Sequence, residues 1–331
     1  MPLALSRRGP SVLERFGLAV AGHGELADYP LDRLPFGWYL NWSYERDPAR
    51  PGGAEFVQVL PVDPEHYAPP GDALRQVVLA NPGALWLVGN EPECIYQGRR
   101  TPQEYAEIYH TYYVFLKALD PTCQVAVGGV VQPTPLRLQW LDQVLEHYLV
   151  RYAQPLPVDV WNIHNQILQE KRGQYGCDIP VGLEADTGML YPWWENDSLE
   201  RFKEQVWAFR RWMAGRGQRD KPLIISEYGV VYPSRWFDTL GAPGGDARVC
   251  AFMDGTFDFL LSATDADTGC PSDGNRLVQC WAWLSLNLPT WQQDPNNGFN
   301  GNLCDAYTHE ITVFGENYGR YLRRLLGEGS G

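Results

Sequence analysis

Residues 84–93 read ALWLVGNEPE, an apolar run that passes directly into a polar turn. A short, near-continuous apolar run is typical of a strand covered on both faces, as in a parallel sheet. Pro92 cannot donate to a strand ladder, so the strand is predicted to end at Asn90. The carboxylate of Glu91 would then stand at the carboxyl tip of the strand.

Seven further segments share this pattern, and helical patterns lie between most of them. The eight predicted strands are Phe16–Val20, Phe36–Trp42, Glu55–Val62, Ala84–Gly89, Gln124–Val131, Val158–His164, Pro222–Ser226 and Leu277–Ser285. Alternation of strands and helices indicates parallel pairing with right-handed crossovers. The sequence therefore predicts an α/β fold, a (β/α)8 TIM barrel. It is abbreviated in the first two βα units, because residues 21–35 and 43–53 are too short for full helices.

Among the predicted helices, the clearest begins at Thr101-Pro102-Gln103-Glu104, where Thr and Glu form a capping box and Pro occupies the first helical position. A second helix is predicted to start at Asp197, and others cover Leu136–Tyr152, Ala247–Leu261 and Asn317–Leu326. The connections 166–196 and 286–307 are long and rich in aromatic residues, which favours a functional role for these loops.

The composition is that of a globular protein, and the length fits one large α/β barrel as well as two ordinary domains. Because no Ser/Gly linker divides the chain, a single domain over residues 1–331 is predicted, with a core from about 14 to 326. The chain has 331 residues and a net charge of −13, which disfavours binding to nucleic acid. The sequence contains no run of 18 apolar residues, so no membrane span is predicted. Met1–Pro10 shows no intact signal peptide, so the localisation stays open, with secretion suspected. We expect a monomer.

Neither a metal nor a cofactor is predicted. The seven cysteines form no CxxC pair, so a zinc site has little support; buried thiols are expected, and disulfides stay an alternative if the protein is secreted. The acidic segment 265–273 resembles a calcium loop but lacks its distal Glu, and a solvated turn is favoured.

Two carboxylates occupy the tips of opposed strands. Glu91 follows the fourth predicted strand, and Glu227 follows the seventh. Parallel barrels keep their chemistry at these carboxyl ends. One carboxyl can protonate a glycosidic oxygen while the other, ionised, attacks the anomeric carbon; a separation of roughly 5–5.5 Å gives retention and a wider gap inversion.

Asn90-Glu91-Pro92 after strand four, with Glu227 after strand seven, resembles clan A of the retaining glycoside hydrolases. The resemblance implies that Glu91 is the acid/base and Glu227 the nucleophile, with Asn90 bound to the sugar 2-hydroxyl. It also implies a Trp beneath the cleaved sugar, with Trp283 favoured over Trp281. His164 matches a strand-six position near the nucleophile, although a histidine with its partners satisfied in the core is an alternative.

Within clan A, the short first part of the barrel and the segment 37–42 resemble the small endo-β-1,3-glucanases of family 128. Families 39 and 5 use the same pair of catalytic glutamates, and no motif in this sequence excludes them. The predicted function is retaining hydrolysis of a β-linked glycan. The alternatives are a catalytically silent carbohydrate-binding barrel and an exo-acting β-glycosidase.

Sugar rings present apolar C–H faces that stack on aromatic side chains. Further aromatic residues near the predicted strand tips are therefore predicted to bind the glycan: Trp38, Trp42, Trp193, Trp194, Tyr228 and Trp291. Asn41, with Asn90 and His164, is predicted to bind sugar hydroxyls. For Trp193 and Trp194 the alternative is a lid over the core of the barrel itself.

Overall fold

A computed structural model of the protein describes residues 9–295 and 298–327. The predicted core, from about 14 to 326, lies in this range except for residues 296–297. The first eight residues, which belong to the segment considered above for a signal peptide, lie outside the described residues. None of the helices in these ranges has the length and apolarity needed to cross a bilayer.

All eight predicted strands are present, and the third is divided at Val57 into two short strands. The strands are β1 (Phe16–Ala19), β2 (Trp38–Leu40), β3 (Glu55–Phe56), β4 (Gln58–Leu60), β5 (Leu85–Asn90), β6 (Gln124–Gly129), β7 (Trp161–Asn165), β8 (Leu223–Tyr228) and β9 (Cys280–Leu284). Most of their residues are buried, as expected for strands covered on both faces.

The strands form two parallel sheets, in the order β3-β2-β1-β9-β8-β7 and β4-β5-β6. The chain itself connects them at Val57, whose N–H donates to Tyr39 O of β2 (2.9 Å). On the other side, isolated parallel bridges, Ala126 with Val160 and Val130 with Ile163, join the β6 and β7 regions. The predicted (β/α)8 fold class is confirmed, with irregular pairing at these two seams.

The helices are α1 (Asp72–Ala80), α2 (Pro102–Leu119), α3 (Pro135–Tyr152), α4 (Leu199–Gly215), α5 (Ser234–Phe237), α6 (Gly245–Ser262) and α7 (Val313–Leu326). The Thr101–Glu104 capping box is confirmed. The start of α4 was misplaced: Ser198 is the N-cap, because its side chain accepts from Arg201 N–H. The nine-residue helix α1 was not predicted.

The first two βα units are abbreviated as expected. Only single turns of 3₁₀ helix occur after β1 and β2, at Leu26–Asp28, Leu31–Arg33 and Pro51–Gly53. In their described residues, the long connections after β7 and β9 contain no α-helix, and they cover the carboxyl ends of the strands. This end of the barrel carries the site described next.

Candidate active site

Glu91 lies one residue beyond the end of β5, where the chain turns away from the sheet. Its backbone has φ of +42°, in the left-handed region that non-glycine residues seldom adopt. The turn is held by hydrogen bonds from Glu91 N to Gly129 O (3.0 Å) and from Cys94 N and Gly98 N to Glu91 O (3.0 and 3.1 Å). These bonds fix the direction in which the carboxylate leaves the strand.

Glu227 lies near the end of β8 and is buried. The pairing of β7 with β8 shifts register between Ile163 and His164, and the shift sets His164 directly beside Glu227. On the other side, Trp42 has φ of +57° and its indole N–H donates to Glu227 Oε1 at 2.5 Å. The nearest partners of this carboxylate therefore come from β7 and from the loop after β2.

His164 stands between the two carboxylates. Its Nδ1 lies 2.9 Å from Glu91 Oε1, and its Nε2 lies 3.5 Å from Glu227 Oε1. Glu91, His164 and Glu227 each contribute one carboxylate oxygen or ring nitrogen to a group of three atoms that lie within 4.8 Å of one another. No other set of three such residues in the described ranges is close enough to hold a metal ion. The imidazole thus links the two strand tips that sequence placed on opposite sides of the barrel.

Burial and charge alter the pKa values of Glu227 and His164. Burial disfavours the Glu227 carboxylate and raises its pKa to about 7, and the neighbouring Glu91 acts in the same direction, while His164 and the Trp42 N–H oppose the rise. Burial also disfavours the imidazolium of His164, but the two carboxylates outweigh it and raise the pKa of His164. The site therefore exchanges protons near neutral pH, where acid–base catalysts work best.

A cleft with a volume of about 1090 Å³ opens over these side chains. Its lining includes Trp42, Asn90, Glu91 and Glu227, as predicted. None of the described residues hydrogen-bonds to the side-chain amide of Asn90, so this amide is available to a ligand. The cleft is large enough for a saccharide rather than a single small ion.

Four of the predicted binding residues lie in the core and do not line the cleft, so their contact with a ligand stays a prediction that this structure does not support. They are Trp38, Tyr228, Trp281 and Trp283, all fully buried. Trp283 donates to Gly301 O (2.8 Å), and Leu284 lines the cleft in its place. Side chains alternate along a strand, so an error of one residue in the inward position exchanges the two faces.

Three other predicted residues lie near the site without lining the cleft. Asn41 uses its amide to hold the turn after β2, donating to Glu45 Oε1 (2.6 Å) and accepting from Ser43 Oγ (2.7 Å). Trp193 and Trp194 form a 3₁₀ turn, Trp193–Glu195, in the loop after β7. Contact of Asn41 with sugar hydroxyls stays a prediction, and the amide already has partners within its own turn.

Several cleft residues were not predicted as binding residues. They are supplied by loops after β4, β5, β7 and β9, and include Asp63, His66, Tyr96, Gln97, Gln166, Tyr175 and Phe299. Trp291, which was expected at the barrel mouth, also lines the cleft. Gln166 directly follows β7, so its place at a strand tip could have identified it. Tyr175 and Tyr96 lie well inside loops, and no local pattern indicates which way those loops fold.

Comparison with known proteins agrees with this architecture. Residues 17–170 match the family model of a glycosyl hydrolase catalytic core. No curated protein matches the chain. A family 128 (subgroup I) endo-β-1,3-glucanase from Amycolatopsis mediterranei, solved with laminaritriose, superposes with a TM-score of 0.58 at 15% identity, over 93% of this chain and 99% of that chain.

Two further relatives of similar fold differ in activity. A subgroup VI exo-β-1,3-glucanase from Aureobasidium namibiae gives a TM-score of 0.60 at 11% identity, over 93% of this chain and 96% of that chain. A subgroup VII oligosaccharide-binding protein from Trichoderma gamsii gives 0.52 at 14% identity, over 98% of each chain. At such identities the likeness shows the fold. The fold and the family-model match together support a glycoside hydrolase resembling family 128.

Proposed function

We propose that the protein hydrolyses a β-linked glucan with retention, with Glu227 as nucleophile and Glu91 as general acid/base. The observation that carries the proposal is the spacing of the two carboxylates, whose nearest oxygens lie within 4.8 Å of each other with His164 between them. Retaining enzymes hold this pair roughly 5–5.5 Å apart, whereas inverting enzymes need roughly 6.5–9.5 Å to accommodate water. The gap favours direct attack by a carboxylate.

In the first step, protonated Glu91 gives its proton to the leaving glycosidic oxygen as the bond from that oxygen to the anomeric carbon breaks. Glu227, as the carboxylate, forms a new bond to the same carbon. In the second step Glu91 takes a proton from water, which attacks the anomeric carbon and releases Glu227. His164 and the Trp42 N–H stabilise the Glu227 carboxylate before attack and when it is released again.

A neutral β-1,3-glucan is the proposed substrate. Proteins of this fold include glucanases solved with laminaritriose and with glucose. The cleft presents Trp42, Tyr96 and Trp291 to the apolar faces of sugar rings. The free amide of Asn90 is suited to the 2-hydroxyl of the sugar being cleaved.

A Glu227→Ala variant tests the mechanism. Its turnover should fall by several powers of ten, because the covalent step is lost. Azide should then restore part of the rate and give a glycosyl azide of inverted configuration. Glu65→Ala is a suitable control, since Glu65 is an exposed carboxylate near the cleft, paired with Arg99. A Glu227→Ala enzyme with near-normal turnover would exclude Glu227 as nucleophile.

The second candidate is a catalytically silent glycan-binding barrel, which the fold of the Trichoderma gamsii oligosaccharide-binding protein also accommodates. Hydrolysis of laminarin, cellulose, xylan and mannan by the purified protein separates the two functions. Products from laminarin alone would support the proposal, and their lengths would distinguish endo from exo action. Binding without any product would favour the silent barrel.

A further inference from the structure

Five aromatic side chains form a continuous series across three loops, here called the aromatic track. Its members are Tyr175, Trp291, Trp236, Trp193 and Trp194. Successive ring centroids are 5.9, 6.2, 5.8 and 5.7 Å apart. Because the loops follow β7, β8 and β9, the track runs over the carboxyl face of the barrel.

The track begins inside the cleft and continues outside it. Tyr175 and Trp291 line the cleft together with the two catalytic carboxylates, whereas Trp193, Trp194 and Trp236 do not. Buried Tyr232 supports the junction, with its ring centroid 5.7 Å from those of Tyr175 and Trp236. A ligand that fills the cleft can therefore extend onto the track without crossing a polar gap.

Three rings of the track, one inside the cleft and two outside it, are more exposed than a role in core packing requires. Exposed fractions are 53% for Tyr175, 37% for Trp236 and 50% for Trp194. A single exposed aromatic is ordinary, but a contiguous set next to a cleft indicates a binding surface. Indole and phenol rings offer flat apolar faces of the kind that stack on sugar rings.

Two arginines near the track are paired with carboxylates. Arg248 lies against Phe237, which packs on Trp193, and its guanidinium binds both oxygens of Asp197 (2.7 and 2.8 Å). Arg201 follows Trp194 by seven residues and is paired with Glu195 at 3.0 Å. Neither of these two arginines is free to bind an anion, whereas exposed Arg235, beside Trp236, has no carboxylate partner among the described residues. The flat apolar faces of the rings are what suit the track to a neutral sugar.

We propose that the aromatic track binds the part of a neutral glucan chain that extends beyond the catalytic cleft. This inference rests on the proposed function for its ligand. Two contiguous binding surfaces on one chain act together, because binding at the first raises the local concentration of polymer at the second. The track should therefore strengthen binding of the polymer and leave cleavage of short oligosaccharides to the cleft.

The double variant Trp194→Ala/Trp236→Ala tests this inference. In the Glu227→Ala background, which binds without turnover, its Kd for insoluble β-1,3-glucan should rise about tenfold, or roughly 1.4 kcal/mol. In the active background, KM for laminarin should rise similarly, whereas kcat/KM for laminaritriose should change little. Tyr307→Ala is the matched control, since Tyr307 is exposed, aromatic and outside the track.

Three outcomes would overturn the inference. Equal losses on laminarin and laminaritriose would mean that the rings maintain the cleft, and unchanged polymer binding would mean that they bind no glucan. Dimerisation of the wild type that the double variant abolishes would make the patch an interface between copies. A wild type that binds glucan through the track but cleaves none would retain the inference and refute the proposed hydrolase.

Discussion

Trp42→Phe removes one hydrogen bond at the candidate nucleophile and leaves most of the aromatic ring. The indole N–H donates to Glu227 Oε1 at 2.5 Å, and this bond lowers the pKa of Glu227 against the effect of burial. Hydrogen bonds to charged groups contribute about 1.5–3 kcal/mol. Since one pKa unit corresponds to about 1.4 kcal/mol, the pKa of Glu227 should rise by roughly one to two units in the variant.

The change is measured in the pH dependence of kcat/KM, which reports groups of the free enzyme. Attack requires the Glu227 carboxylate, so the acidic limb should lie near pH 7 in the wild type, the pKa to which burial raises this group. In Trp42→Phe it should move upward by roughly one to two pH units. At pH 6 the rate should consequently fall by about 10- to 100-fold.

Trp291→Phe provides a control that makes the same chemical change in the same cleft. The Trp291 N–H donates to the backbone oxygen of Val231 at 3.0 Å, not to a carboxylate. Its acidic limb should coincide with that of the wild type. The reasoning is refuted if Trp42→Phe loses rate without a shift of the limb, or if Trp291→Phe shifts it as far.

Two further predictions concern stability. Because burial raises the pKa of Glu227 from 4.5 to about 7, folding favours its protonated form; the stability this gives is present below about pH 4.5 and is lost as pH rises to 7. The free energy of unfolding of Glu227→Gln should therefore exceed that of the wild type by about 3 kcal/mol at pH 8 and by little at pH 4. A difference in Tm between the two proteins that is independent of pH would contradict this. Arg137→Met should lower the free energy of unfolding by about 3–5 kcal/mol in urea titrations, because it leaves Glu93 and Glu170 buried without their cation. Adding Glu93→Gln should recover part of that loss, and simple additivity of the two changes would argue against charge as the cause.

The sequence alone predicted the strands, because each is a short apolar run closed by a residue that cannot extend it. Pro92 is the clearest such stop, and it places Glu91 at a strand tip. The same argument located Glu227 and His164, since parallel strands direct their carboxyl ends to one face. Local chemistry also specified the capping box at Thr101, which depends on residues within one helical turn.

Tertiary structure decided which aromatic side chains reach the cleft. Trp283 and Leu284 are both apolar neighbours in a strand buried on both faces, so composition cannot indicate which one faces the cleft. The answer depends on the register shift between β8 and β9, which follows from packing around the whole ring. The conformations of the loops also depend on contacts between residues that are distant in sequence. Trp291 contacts Tyr175 and Trp236 only because three connections fold over the same end of the barrel.

The proton balance of the site is likewise a property of the folded chain. Glu227 has an ordinary pKa in an extended chain; the fold removes water from it and sets His164 and Trp42 beside it. Those partners are 63 and 185 residues away in sequence. Sequence determined which carboxylates stand at the strand tips, because that depends on where each strand stops; only folding determined their separation and charge, because both depend on groups brought together from across the barrel.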